Sequence, residues 1–320
     1  MVTVRFVFLV LTVVTGSFAL QSCWDGVGRV VAVGDVHGDY GQFIKILEAA
    51  GLVDDSMNWT GGKTHLVQIG DVLDRSPDSR AVMDLLISLE QQAPLYGGYV
   101  HCLLGNHEIM LMKTDLRYVH PGEIESYGGL KEMVRALRPT GEYGSWLAGH
   151  NTVIRINNAL FVHAGISADF SGFTADSINS MVRREISNNL SNPSGVLSST
   201  GPVWYRGLAL DRGSDVQRAL EETLSVNSAD IIVIGHTVTI EGITARFSGR
   251  VVMIDAGMSD CYGGTAQYLE LDSKGYKVCF PSRPQGAAVQ CRFSDKFPDF
   301  QLASWLSAAL YPSAIISSAR

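Results

Sequence analysis

Short apolar runs alternate with amphipathic stretches along the first hundred residues. Arg29 to Gly34 (Arg-Val-Val-Ala-Val-Gly) is an apolar run closed by glycine, the pattern of a buried strand. Tyr40 to Ala50 sets Phe43, Ile44, Leu47 and Ala50 at helical spacing, and Gly51 stops it. Thr64 to Gly70 reads as a second strand. Residues 78–92 read as a helix with Val82, Leu85, Leu86 and Leu89 on one face, and Tyr99 to Leu104 as a third strand. Strands alternating with helices predict an α/β domain.

After Glu108 the pattern loosens. Residues 113–150 hold Pro121, Gly122, Gly128, Gly129, Pro139, Gly141 and Gly144 and read as an insertion over one end of the sheet. Strands resume at Asn151 to Ile156 and Ala159 to Val162. A helix over Asp176 to Asn188 follows the cap residue Thr174. Residues 191–202 read as a loop, 214–225 as a helix and Ile231 to Ile234 as a strand; β-hairpins follow to about residue 280. With no internal repeat and no long linker, one domain over 27–292 is expected. Its insertions fall at about 109–150 and 165–205, and residues 293–320 form a tail.

Residues 1–19 stand apart. Arg5 precedes the apolar run Phe6 to Val14, and Ser17 and Ala19 offer small residues for cleavage. This is the pattern of a secretory signal peptide, and the run is far short of the roughly 20 residues that span a bilayer. The reading implies routing into the secretory pathway, with an extracellular, periplasmic or lumenal destination. All five cysteines lie beyond the cleavage point, and Cys279 with Cys291 is the expected disulfide by nearness in sequence. Cys102, in an apolar run, reads as a buried free thiol.

The 320 residues carry a formal net charge of −7, and 46 % of them are apolar. That is a folded globular composition, and it lacks the basic excess of nucleic-acid binders. An anionic substrate would therefore need local positive charge from arginines or metal ions.

Each expected strand ends in a particular polar group. The first gives Gly34-Asp35-Val36-His37-Gly38, the second Gly70-Asp71-Val72-Leu73-Asp74-Arg75, and the third Gly105-Asn106-His107-Glu108. Later strands give His163-Ala164-Gly165 and Gly235-His236. In open α/β sheets, sites form outside the carboxyl ends of the strands. Five such loops would gather Asp35, His37, Asp71, Asn106, His163 and His236. These N/O ligands suit a pair of divalent ions such as Zn, Fe or Mn. A carboxylate such as Asp71 can bridge two ions, which together clamp a phosphate and activate a water for in-line attack. The departing oxygen needs a proton, and His107, oriented and charged by Asp74, is placed to give it. His65, His101, His120 and His150 are assigned structural or surface roles.

In this order the motifs resemble those of the phosphoprotein phosphatases, a metallophosphoesterase family, over about residues 29–260. The resemblance implies a central β-sandwich flanked by helices, with a dinuclear metal site at one edge. By that resemblance Asp35, His37 and Asp71 hold the first metal, and Asp71, Asn106, His163 and His236 the second. His107 is the general acid, Asp74 its carboxylate partner, and Arg75 a phosphate-binding arginine, with Arg206 as the second. The resemblance further implies direct attack of a metal-held hydroxide on a phosphate monoester. Ser76, Leu104 and the segment Asp255 to Gly264 depart from the common Ser/Thr enzymes and resemble the Shewanella-like protein phosphatases. Some of these prefer phosphotyrosine, so a phosphorylated protein or peptide is the expected partner. The competing readings are a diadenosine tetraphosphate hydrolase, a broad-specificity secreted phosphomonoesterase and a non-catalytic phosphate-binding module. The intact acid and ligand positions weigh against the last.

Overall fold

A computed structural model describes residues 21–191, 195–281 and 289–291. The segment 1–19, read above as a signal peptide, and the expected tail 293–320 lie outside these described residues. Twelve strands are seen among them: β1 Cys23–Trp24, β2 Val30–Val33, β3 His65–Gln68, β4 Tyr99–Cys102, β5 Val153–Ile156, β6 Ala159–Val162, β7 Ile231–Ile234, β8 Thr244–Arg246, β9 Val251–Met253, β10 Tyr268–Asp272, β11 Gly275–Cys279 and β12 Val289–Cys291. They form two six-stranded sheets, ordered β1-β5-β6-β7-β9-β8 and β12-β11-β10-β2-β3-β4. Strands β2, β3 and β4 run parallel, as do β6, β7 and β9, while β10 and β5 pair antiparallel with β2 and β6.

The strands read as continuous apolar runs because both faces are buried. On β2, Val30 and Ala32 join the layer between the sheets, while Val31 and Val33 face the helices. On β6, Phe161 lies in the inter-sheet layer and Leu160 and Val162 in the outer one. The period-2 alternation of a strand accounts for this division.

The helices are α1 Tyr40–Ala49, α2 Ser79–Gln92, α3 Asn106–Met112, α4 Pro121–Ser126, α5 Leu130–Leu137, α6 Glu142–Gly149, α7 Ala175–Asn189, α8 Gly207–Leu210 and α9 Ser214–Val226. The cap of α1 is the Asp39 carboxylate, which accepts from Gln42 N at 3.0 Å. Thr174 caps α7 as its sequence position implies, its hydroxyl accepting from Ser177 N. The region 113–150 folds as three short helices. No described helix is long and apolar enough to cross a membrane.

Two expectations are corrected. The chain does not loosen at Glu108: α3 runs from Asn106 to Met112, and all its residues are buried. A helix buried on every side shows no amphipathic period. Cys279 is a free, buried thiol. The ladder between β11 and β12 sets Cys291 opposite Tyr276, three residues from Cys279. At about 3.3 Å per residue that offset is roughly 10 Å, too far for a disulfide.

Candidate active site

The carboxyl ends of β2, β3, β4, β6 and β7 meet at one edge of the sandwich. Backbone bonds stitch their loops together: Val36 N and His37 N donate to Asp71 O, and Gly235 N donates to His163 O. The loops pack so closely that a Cβ on Gly105 would overlap Asp71 Oδ1, and one on Gly235 would overlap Asp35 Oδ1. This close approach explains the glycines that precede Asn106 and His236.

Asp35, His37, Asp71, Asn106, His163 and His236 are all buried and all converge here. His163 Nδ1 lies 3.1 Å from the Ile69 carbonyl, so that nitrogen carries the proton and Nε2 presents a lone pair. This Nε2 lies 3.1 Å from Asn106 Oδ1, 3.2 Å from Asp71 Oδ2 and 3.2 Å from His236 Nδ1. His236 Nε2 is buried without a protein partner. His37 Nδ1 is likewise committed to the Leu73 carbonyl at 2.9 Å, and its Nε2 lies 3.8 Å from Asp71 Oδ2. Acceptors crowded around one carboxylate repel one another unless a cation lies among them. The donor set therefore fits divalent metal ions.

The electrostatics agree. Burial, against the pull of Asp71, lowers the pKa of His37 to about 3. Burial together with His163 lowers that of His236 to about 2. Both rings are then in the neutral, ligating form near neutral pH. Burial opposes ionisation of Asp71, yet His163, His107 and His37 together hold its pKa well below the usual carboxylate value. Asp35 is pushed well up by burial and by the charges of Asp255 and Asp71.

His107 differs from the other imidazoles. Its Nδ1 meets Asp74 Oδ2 at 2.6 Å, and its Nε2 lies 3.9 Å from Asp71 Oδ2. Burial lowers its pKa, but Asp71 and the hydrogen bond to Asp74 outweigh that and raise it. A proton held on this ring is available at the edge of the ligand cluster.

Arg75 is half-buried between two aromatic rings, 4.6 Å from the Tyr118 centroid and 5.2 Å from that of Tyr262. Tyr118 also lies 5.3 Å from the His107 ring, and Tyr262 lies 5.8 Å from that of His37. Arg206 is exposed, and its Nη1 donates to His236 O at 2.9 Å and Thr237 Oγ1 at 3.0 Å, which anchors it beside His236. Ser76, a departure from the common pattern, bonds Ser259 at 2.8 Å. The insertion over 109–150 reaches the site through Tyr118 and Glu123. In the expected second insertion, α7 packs on β5, with Asn179 Oδ1 accepting from Thr152 N and Val153 N; at and just beyond its end, Trp204 and Arg206 meet His236.

Three acidic residues escaped the sequence reading. Glu108 is fully buried and accepts from Asp71 N (2.9 Å), Gly105 N (2.7 Å) and Val72 N (2.9 Å), tying two motif loops together. Asp255 is buried beside Asp35 and accepts from Gly257 N at 3.0 Å; burial and Asp71 raise its pKa to about 6. Glu123, on α4, is buried against Asp74, and burial with that charge pushes its pKa up to about 8. Glu108 closes the Gly105-Asn106-His107-Glu108 motif without having been given a role, and Asp255 ends an apolar strand pattern, so both carried a faint signal. Glu123 carried none.

Fold and site together define a phosphoesterase. The chain belongs to the calcineurin-like phosphoesterase family, whose model matches residues 28–239. It is 29 % identical to Shewanella-like protein phosphatase 2 of Arabidopsis thaliana, over 79 % of this chain and 77 % of that one. An uncharacterized protein of Schizosaccharomyces pombe is 36 % identical over 76 % of each chain. The solved cold-active protein-tyrosine phosphatase of a psychrophilic Shewanella superposes with a TM-score of 0.73 at 29 % identity, over 86 % of this chain and 84 % of that one. The protein is a metal-dependent phosphatase, in a family that works with a dinuclear metal centre.

Proposed function

We propose that this phosphatase prefers phosphotyrosine and works with two Mn, Fe or Zn ions after passing into the secretory pathway. The observation that carries the reading is the His107–Asp74 pair at 2.6 Å, set against the cluster of acceptors around Asp71. Asp35, His37 and Asp71 would hold one ion, and Asp71, Asn106, His163 and His236 the other. Such a pair supplies Lewis acidity to the phosphoryl oxygens and a water of lowered pKa as nucleophile.

The chain's own residues do the rest. Arg75 and Arg206 bind phosphoryl oxygens with charge-assisted hydrogen bonds. His107 gives its proton to the departing oxygen while Asp74 holds the ring in line and keeps it charged. Tyr118 and Tyr262 flank Arg75 at the rim, where offset stacking suits an aromatic leaving group. The similar Shewanella enzyme is a protein-tyrosine phosphatase, which supports the same choice. The N-terminal charge and apolar pattern supports the location.

The test is phosphate release from matched phosphotyrosine, phosphoserine and phosphothreonine peptides, diadenosine tetraphosphate and a sugar phosphate, with Mn²⁺ or after chelation. Metal-dependent release fastest from the phosphotyrosine peptide is expected. A faster reaction with the dinucleotide or the sugar phosphate overturns the substrate assignment.

A further inference from the structure

A second group of metal-ligating side chains lies away from this site, at the β4 edge of its sheet. Glu90 comes from α2, Cys102 from the last position of β4, and His150 from the residue that ends α6. One donor atom of each lies within 4.8 Å of the others. His150 Nε2 is 3.0 Å from Glu90 Oε1, while Trp146 Nε1 donates to Glu90 Oε2 at 2.7 Å and fixes the carboxylate. The Trp146 ring also meets the His150 ring edge-on at 4.5 Å. The Cys102 thiol is buried, and His150 Nδ1 is buried without a protein partner. Beside the cluster lies a cavity of about 470 Å³, lined in part by Trp24, Tyr99, His101 and Asn151.

We propose that Glu90, Cys102 and His150 form a third metal site, for a thiophilic divalent cation such as Zn²⁺. One sulfur, one imidazole nitrogen and one carboxylate oxygen are a donor set that zinc accepts tetrahedrally. Ligand-to-metal distances of about 2.0–2.3 Å put neighbouring donors roughly 3–4 Å apart, within the span seen here. The cavity supplies room for a water as fourth ligand. Trp146 plays the orienting part that outer partners play at metal sites. The three ligands come from a helix, a strand and the end of the first insertion, so a bound ion would clamp that insertion to the sheet edge. Burial and the Glu90 charge keep the thiol protonated. Metal binding therefore releases a proton and tightens as pH rises.

Cobalt separates this site from the catalytic one. The catalytic donors are nitrogen and oxygen alone, so a thiolate-to-Co²⁺ charge-transfer band in the near ultraviolet reports only a cysteine-ligated ion. Metal-stripped protein is titrated with Co²⁺, beside Cys102→Ser and His150→Ala variants checked for fold by circular dichroism. His150 is partly exposed, so its variant keeps the test open if the Cys102 variant fails to fold. The expected result is a band in the wild type that is lost in both variants. The Zn²⁺ content on dialysis should also fall by one ion per chain, with the catalytic ions retained. No band in the wild type, or a band that survives either substitution, overturns the proposal.

Discussion

Replacing Glu123 by Gln removes a carboxyl whose pKa is pushed up to about 8, from 4.5, by burial and the neighbouring Asp74 charge. Between these values the unfolded chain has released a proton that the native state still holds. The unfolded state then binds fewer protons, so stability falls as pH rises. One proton corresponds to about 1.4 kcal/mol per pH unit. Between about pH 5 and pH 7 the accumulated loss is roughly 3 kcal/mol, and it levels off above about pH 8 when native Glu123 ionises too. The Gln variant lacks this dependence. Its absolute stability also reflects how its amide is satisfied, at about 1–3 kcal/mol for an unpaired buried group, so the slope is the sharper observable. The assay is urea unfolding of both proteins at several pH values. All other titrating groups cancel in the difference, which should change by about 1.4 kcal/mol per pH unit in the variant's favour across this window. Parallel stability curves would refute the reasoning and place Glu123 in contact with solvent or a cation.

Asp71→Asn should lose bound metal and activity together, as read by metal analysis alongside phosphate release; full turnover would exclude Asp71 from the bridging position. His107→Asn should keep its metals and slow turnover by roughly 10²–10⁴-fold. That loss should shrink for p-nitrophenyl phosphate relative to phenyl phosphate, since a better leaving group needs less protonation. Arg75→Ala should weaken competitive inhibition by inorganic phosphate by about 10–100-fold, the worth of a hydrogen bond to a charged group. Phe161→Ala, deep between the sheets, should cost about 3–5 kcal/mol by denaturant unfolding, while leaving the metal content of the folded fraction unchanged.

The strands and their terminal motifs were legible because burial on both faces writes strands as apolar runs, and each run stops where polar ligands begin. Helices α1 and α2 showed their period because one face of each meets solvent, and α7 was marked by its cap residue Thr174. Helix α3 did not, because Ile109, Met110, Leu111 and Met112 are all buried. Glu123 was invisible for a different reason. Nothing in its local sequence says that α4 will fold back and set this carboxyl beside Asp74, which lies far away along the chain. The cysteines make the same point in reverse: Cys279 and Cys291 are near in sequence, and strand register separates them. Conversely, His150 and Cys102 looked like structural residues singly, and only tertiary contact brings them together with Glu90.

The ligand loops carry backbone strain, and the buried acids explain how it is held. His37, Asp71, Asp74, Arg75 and His236 all adopt positive φ, between 48° and 73°. For residues with a Cβ this conformation costs about 1–2 kcal/mol each. It persists only where surrounding contacts over-determine it. Glu108 receives the amides of Asp71, Val72 and Gly105, Asp35 receives that of His236, and Tyr118 O receives that of Arg75. Asp35 is thus both a proposed metal ligand and the clamp on a neighbouring ligand's backbone. Metal ions would lower the cost of its burial by neutralising the charges of Asp71 and Asp255 that now raise its pKa. Metal binding and loop geometry are therefore coupled through the same carboxylates. A carboxylate removed from the clamp, as in Glu108→Gln, should loosen metal affinity without altering any ligand.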